Sequence, residues 1–552
     1  MWTSNTEHPR DLSPRGDHSL RRNMKQNRSK LKLIIMLAAI AGALCLARDA
    51  AAQEQPIFDA PEELLLGEES VVVEFPSEES PLWCEILEAT PTVLSWPDEP
   101  LGSLFAHLLG TEHDHPETEL EESAIGLQSI PSRPPLLVEW NDLFLGTGFL
   151  DQGIETHTGA IWRPAFWVFG ESRAGLQYFD RGTPTTEWAN RLDLFGQINL
   201  SGTERILVGV RPLDEELSGS RRFSGYDFNN GNSIDGLNTN VQTLFFEGDF
   251  GEVFPNLDPY DTRMLDYGFS VGRMPLLAQQ GLLINEDMID AITVTRNTLY
   301  GHGNLNLRTT GVYAWRGINR NSPTGRTTEF DTASRMVALI TESDFAKRTV
   351  NLDAIYVYGG DGFGNLFAFG FSSIRRHHGY HNTYNTSLHI LASIPEGRTT
   401  EFADQGELLF AQTSWVPHHT EDIIYLNAFW AIDQFTSPAR GPLVGGPLGQ
   451  TGILFGGIGL GRYGPPIAVR TDNLAGVSLG YQMFFDHTRQ QLIWEVGGAK
   501  ETKGVSRGAI GTALRYQKAI GQHSIVVLDG FVSKPEGRRV SQGFRMEWRV
   551  KF

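Results

Sequence analysis

The stretch Gly543-Phe544-Arg545-Met546-Glu547-Trp548-Arg549-Val550-Lys551-Phe552 alternates with a period of two. Successive side chains of an extended strand point to opposite faces. Phe544, Met546, Trp548, Val550 and Phe552 therefore share one face, and Arg545, Glu547, Arg549 and Lys551 share the other. One wall is oily and the other is charged throughout. A strand of a soluble sandwich ordinarily sets its apolar face in a core and a mixed polar face in water. Apolar side chains ending on an aromatic, backed by an unbroken row of charges, fit a strand with lipid on one side and water on the other. The competing reading of these residues is an edge strand of a secreted sandwich.

This tail resembles the closing strand of bacterial outer-membrane β-barrels. The resemblance implies that Phe544, Trp548 and Phe552 act as an assembly signal read by the barrel assembly machinery. The other end of the sequence agrees with export. Arg21, Arg22, Lys25, Arg28, Lys30 and Lys32 form a basic region, an apolar run covers residues 33–46, and Ala50-Ala51-Ala52 precedes Gln53. This pattern predicts a signal peptide over residues 1–52, cut after Ala52. The apolar run falls short of the roughly 20 residues a spanning helix needs. Cys45 lies in that run without a lipoprotein box, so no lipid anchor is expected. Cleavage would leave Cys84 as the sole cysteine, which excludes an intrachain disulfide in the mature chain. With no further long apolar run, an inner-membrane helix bundle is excluded as a class. A mean hydropathy of -0.24 is compatible with a barrel, whose strands turn half their residues to a polar lumen.

The formal charge of -20 is concentrated in residues 53–135, where 19 acidic residues face a single basic one, Arg133. Acidity there says little about the rest of the chain. Runs such as Glu117-Thr118-Glu119-Leu120-Glu121-Glu122, with scattered Pro, predict a largely disordered, acidic, Pro/Glu-rich periplasmic extension. Pro131 to Pro135 marks its end, and residues 136–552 are expected to form the barrel domain.

Within residues 136–552 the same alternation recurs between short and long connections. Val477, Leu479, Tyr481, Met483 and Phe485 share a face, and a tight link at 486–490 leads to Leu492, Trp494 and Val496. A glycine-rich connection at 497–507, a strand near 509–517, a turn at 518–523 and a strand at 524–532 follow. Upstream, Arg191 and Asp193 alternate with Leu192 and Leu194. Ile206, Val208 and Val210 share a face, as do Val350, Leu352, Ala354, Tyr356 and Tyr358. The sequence thus predicts an all-β protein, a transmembrane antiparallel up-and-down β-barrel. At roughly 25 residues per strand and connection, about 18 strands fit, with 16 as the alternative. A ring of that size is too wide for its own side chains to fill.

A wide lumen needs narrowing, and residues 212–240, 274–288 and 433–475 read as the longest connections. Tyr267 to Leu277, followed by Gly281-Leu282-Leu283-Ile284-Asn285-Glu286-Asp287, resembles general porins, in which a strand ending in Gly-Arg leads into an infolded constriction loop. Gly456-Gly457-Ile458 through Arg470, Asp472 and Ala475-Gly476-Val477 is similar to the carbohydrate-selective porin family. Each match covers about 20 residues. Opposed charges in a narrow zone would set a transverse field that biases which solutes pass, and Arg273, Glu286, Asp287, Arg470 and Asp472 are the candidates. The bland reading of each is a solvated rim or turn charge. Arg191, Asp193, Arg205, Arg211, Asp353, Arg545, Glu547 and Arg549 are expected on the lumen wall. A charge on the lipid face costs roughly 2–4 kcal/mol at the midplane.

Other chemistry finds less support. His377, His378 and His381, and His418 with His419, lack a carboxylate or Cys at metal-binding spacing and read as solvated turn histidines. His389 and His487 stand isolated in sequence, with no nucleophile beside them. No metal or cofactor and no nucleic acid is called for, and an enzyme is not expected. The expected function is an outer-membrane porin passing small hydrophilic solutes, sugars foremost, in contact with outer-membrane lipid, with a homotrimer as one arrangement. A plugged structural or adhesive barrel is the alternative, and an outer-membrane barrel enzyme a third.

Overall fold

The computed structural model describes residues 136–141, 152–213, 223–234, 236–260, 262–301, 303–325, 328–360, 362–378, 383–418, 420–441, 451–456, 460–467, 470–504 and 507–552. The expected signal and extension over residues 1–135, together with His381, His419, Gly457 and Ile458, lie outside them.

Eighteen strands close into one antiparallel ring. They run β1 (Ala165–Asp180), β2 (Pro184–Asn199), β3 (Arg205–Val210), β4 (Val241–Asp249), β5 (Tyr267–Ala278) and β6 (Ile284–Gly301). Next come β7 (Asn304–Arg316), β8 (Arg335–Phe345), β9 (Arg348–Tyr358), β10 (Asn365–His378), β11 (Thr383–Glu396) and β12 (Gly406–Val416). The last six are β13 (Ile423–Asp433), β14 (Leu474–Phe485), β15 (Gln490–Glu501), β16 (Gly508–Ile520), β17 (Ser524–Pro535) and β18 (Ser541–Lys551). Each strand pairs with the next, and β18 returns to β1 through the register Gln542↔Asp180 to Lys551↔Glu171. Closure removes every long edge, which is what allows a sheet to sit in lipid. Among the described residues no helix is long and apolar enough to cross a membrane.

The pleat sorts the side chains as the terminal alternation requires. On β18, Phe544, Met546 and Trp548 are 55%, 49% and 53% exposed on the outer surface, whereas Arg545 and Glu547 are 2% and 1% exposed on the inner one. The outer face is apolar around the ring, with Leu176, Trp188, Ile292, Tyr313, Leu426 and Trp494 among its exposed residues. A band of that extent, facing outward on every side, is a lipid-facing surface.

At the seam, the Phe552 and Gly170 backbones exchange hydrogen bonds of 2.7 and 3.1 Å, and the Phe552 ring lies where a side chain on Gly170 would project. Beyond Phe552, the short strand Val138–Trp140 continues the pairing along β1, Val138 opposite Val168 and Trp140 opposite Phe166. A small hairpin, Ile154–Glu155 with Ile161–Trp162, precedes β1. The first ring strand begins at Ala165, and Val138–Trp140 joins the same sheet ahead of it.

Connections at the end holding Phe552 are short (200–204, 302–303, 346–347, 379–382, 417–422, 486–489, 521–523), apart from 250–266. Long ones cluster at the opposite end, at 211–240, 317–334 and 434–473. Three expected boundaries shift. Residues 274–288 are not a long connection: β5 and β6 run through them and leave only 279–283 as the turn. Gly497 and Gly498 lie within β15, where a side chain on Gly497 would meet the Val477 carbonyl at 2.4 Å, so these glycines serve strand packing. His377 and His378 end β10, and the His377 ring stacks on Tyr384 at 4.3 Å.

Candidate functional site: the lumen wall and the segments packed against it

Inward-facing residues of β16 to β18 and β1 to β3 build a continuous charged wall. Arg515 Nε reaches Asp529 at 2.6 Å, and Arg545 pairs with the same carboxylate. Arg545 Nη1 also holds Glu547 at 2.5 Å, and Glu547 accepts from Arg173 Nε at 2.6 Å. Toward the Phe552 end, Arg549 reaches Glu171 at 2.6 Å. On β2, Asp193 lies 2.9 Å from Arg191 Nε and 2.6 Å from Arg211 Nε. Arg205 pairs with Glu247 across β3 and β4. Six arginines and four carboxylates from Arg515 to Arg211 form three groups, Arg515–Asp529–Arg545–Glu547–Arg173, Arg549–Glu171 and Arg191–Asp193–Arg211. Planar guanidinium forks can serve two acceptors each, so adjacent strands are laced together without a buried unpaired charge. Arg191, Asp193, Arg205, Arg211, Arg545, Glu547 and Arg549 thus occupy the inner wall. Asp353 is inward too, but on the far side, where it accepts from Thr341 N and Gln279 Nε2, both at 3.0 Å.

That far side is packed by three connections. The 279–283 turn seats Leu282 and Leu283 in the interior, and Gln279 fills the space that a side chain on Gly370 would take. The 317–334 connection forms a hairpin, Ile318–Asn321 with Thr328–Asp331, whose Asn319 backbone N–H donates to Asp287 at 2.8 Å. Its Arg320 is fully buried and donates to the carbonyls of Gly364 and Phe402, each at 3.1 Å. Burial pulls this guanidinium down to about 10, opposed by Asp331. The 434–473 connection adds Ala439 and Arg440 in parallel alongside Ile284 and Asn285, and Arg440 donates to Gly281 O at 2.5 Å. Phe435, Leu454 and Phe455 join inward residues Leu391, Leu408, Phe410 and Phe429 in one apolar cluster.

The same connection crosses to the charged wall. Glu495 of β15 accepts the backbone N–H groups of Ile453 and Leu454, each at 2.9 Å. Arg462 lies 2.5 Å from Glu187 of β2 and 2.7 Å from Asp227 in the 211–240 connection. Its hydrogen bond holds the Asp227 carboxyl below the usual carboxylate range. The Tyr463 ring packs on Phe179 and Phe531, with the Arg545 guanidinium 5.4 Å from its centre.

The five residues expected at a constriction do not converge. Arg273 lies opposite Asp290, on the face that carries exposed Val271 and Ile292, so it faces outward at the rim, 3.5 Å from that carboxylate and 5.7 Å from the Phe330 ring centre. The alternation Tyr267, Phe269, Val271 already put Arg273 on the apolar face. Glu286 is the extra residue of a bulge, exposed, with φ of 49°. Asp287 is buried and anchors Asn319. Only Arg470 and Asp472 meet, at 3.4 Å, with Glu501 as the second partner of Arg470. Sequence reasoning missed Glu187, Asp227, Arg462 and Glu495, whose roles depend on partners 41 to 275 residues away.

These features define the class: a closed, 18-stranded, lipid-facing β-barrel with a charged inner wall and inward-packed connections. No family model and no curated protein matches the sequence. Solved structures of similar architecture include OccK2 (OpdF) of Pseudomonas aeruginosa in complex with glucuronate, at 10% identity and TM-score 0.48, covering 70% of this chain and 98% of that one. A BenF-like porin from Pseudomonas fluorescens gives 9% identity and TM-score 0.49 over 70% of this chain and 98% of that one. OprD of Pseudomonas aeruginosa gives 8% and 0.47 over 70% and 94%. At these values the likeness carries no functional argument, and the function of this chain rests on its own geometry.

Proposed function

We propose that this protein is an outer-membrane porin that passes small hydrophilic solutes by diffusion, with sugars the favoured class. The observation that carries the reading is the charged wall from Arg515 to Arg211, facing inward across six neighbouring strands of a lipid-facing ring. A structural barrel would gain as much from an apolar interior, so a charged wall suits a ring that holds water and moving solutes. Segments 279–283, 317–334 and most of 434–473 fill the other side, while residues 460–467 reach the charged wall at Glu187 and Arg545, so on this reading passage runs along the rest of that wall. The end with short turns and Phe552 is the periplasmic one, where the acidic extension would also lie. Contact with lipid follows from the outer band; the assembly machinery acting on the terminal strand, and a trimer, belong to the same reading. Reconstituted full-length protein should let liposomes swell in arabinose and glucose, with slower swelling in disaccharides; absence of swelling in every sugar would refute it.

A plugged barrel is the second reading, favoured by the apolar cluster around Leu454 and Phe455 inside the ring. It predicts no swelling until the Arg462 clamp is broken.

A further inference from the structure

Behind the packed connections, the inner wall of β9 to β13 carries a strip of neutral polar groups with no partner. Asn351 Oδ1, Ser372 Oγ, Ser387 Oγ, His389 Nε2 and Asn427 Oδ1 are all buried and make no hydrogen bond. They are neighbours by register: Asn351 lies opposite Ser372, and Ser372 opposite His389. One inward step nearer the Phe552 end, Ser387 lies opposite Gln412, and Gln412 opposite Asn427. Buried polar atoms without partners are individually costly, and their gathering on β9, β10, β11 and β13, with Gln412 of β12 between the last two, is not an accident of packing. The run asks for a ligand that both donates and accepts hydrogen bonds.

The charges around it decide which ligand. Two carboxylates, Asp353 and Glu342, flank the Asn351 end of the strip, opposite Gly370 and Asn351 respectively, and Arg376, opposite Asn385, shares the inner face beyond Ser387. Among the described residues no arginine or lysine lies opposite Asn351, Ser372 or His389, so an anion has no counter-charge at that end of the strip. Hydroxyls suit serine, asparagine and imidazole equally well. The Phe410 ring, 5.5 Å from that of His389, adds an aromatic surface on the same row. The cap is the 279–283 turn, whose Gln279 binds Asp353 and lies 3.4 Å from His389 Nδ1. Gln279 and Gln280 both hold φ of 52°, the left-handed region that side chains disfavour, so the cap stays closed against backbone strain.

We infer that this strip is a binding subsite for a neutral polyhydroxylated solute, entered when the 279–283 turn lifts from Asp353 and His389. The inference rests on the pore reading above and assigns its sugar preference to the wall opposite the arginines. The strip and the cap were invisible in sequence because Ser372 and His389 meet only through register.

The test is glucose block of single-channel current through the full-length protein in planar bilayers, with gluconate as the anionic counterpart. Glucose should reduce the current, and gluconate should do so more weakly. Ser372→Ala combined with Ser387→Ala should raise the half-blocking glucose concentration about tenfold, as expected for lost hydrogen bonds. Gln279→Ala, which leaves the strip intact and frees its cap, should lower that concentration. An unchanged glucose block in the double variant overturns the subsite while leaving the pore intact, as does equal block by gluconate. If the double variant does not assemble, an unchanged or raised half-blocking concentration in Gln279→Ala overturns it instead. A wild-type protein that carries no current overturns the pore reading and this inference with it.

Discussion

The two halves of the inner wall solve the same problem in opposite ways. An 18-stranded ring leaves an interior that strand side chains cannot fill. Strands β16 to β3 line theirs with arginine–carboxylate pairs such as Arg545–Glu547 and Arg173–Glu547. Strands β8 to β14 cover theirs with the 279–283, 317–334 and 434–473 segments and pack Leu282, Phe435 and Leu454 against Leu391, Phe410 and Phe429. The difference teaches that the interior is asymmetric by construction, one side lined by charge pairs and the other covered by packed connections. Arg462, reaching Glu187 and Asp227, is the point where the packed connections grip the charged side.

The largest effect expected on this contrast comes from Asp529→Ala. It leaves Arg545 and Arg515 without their shared carboxylate, and breaking a buried pair costs about 3–5 kcal/mol. Urea denaturation in detergent should show the loss. Next is Trp548→Lys, which sets a charge in the lipid-facing band at a cost of roughly 2–4 kcal/mol. It and deletion of Phe552 should lower surface abundance well below that of Arg549→Gln; equal abundance of all three would reverse the face assignment.

Arg462→Ala should cost about 1–3 kcal/mol, because Glu187 stays buried when its partner leaves. Single-channel recording should show larger and noisier steps as the 434–473 segment loosens. The clamp also has a pH signature. The Asp227 carboxyl is depressed in the folded state, chiefly by the Arg462 hydrogen bond, so its contribution is complete above the ordinary value of 3.8 and is lost as pH falls through the depressed one. Steps should stay constant from pH 7 to about 4 and grow only in stronger acid, a change absent in Arg462→Ala. The smallest effect is expected from Arg549→Gln, about 1 kcal/mol or less, since that pair with Glu171 is partly open to water.

What could be read in the sequence follows from period. Alternation at 543–552 needs no knowledge of neighbours, and it placed Arg545, Glu547 and Arg549 inward while Trp548 went outward. The strand number followed from repeat length. Positions whose surroundings are set by register escaped that reading. Glu286 is displaced by a bulge that no alternation announces, and the Gly272-Arg273 pair reads as a strand end although β5 continues through to Ala278. Glu495 meets Leu454, and Arg462 meets Glu187, across the lumen; such contacts belong to the folding of one connection and leave no periodic trace. His389 stands isolated in sequence and becomes part of a row only through its pairing with Ser372.

The central claim, a water-filled passage along the charged wall, is tested most directly by planar-bilayer recording of the purified full-length protein. Discrete ohmic steps are predicted, slightly favouring anions because six arginines face four carboxylates along the wall. Silence across salt and voltage, in wild type and in Arg462→Ala alike, would contradict it.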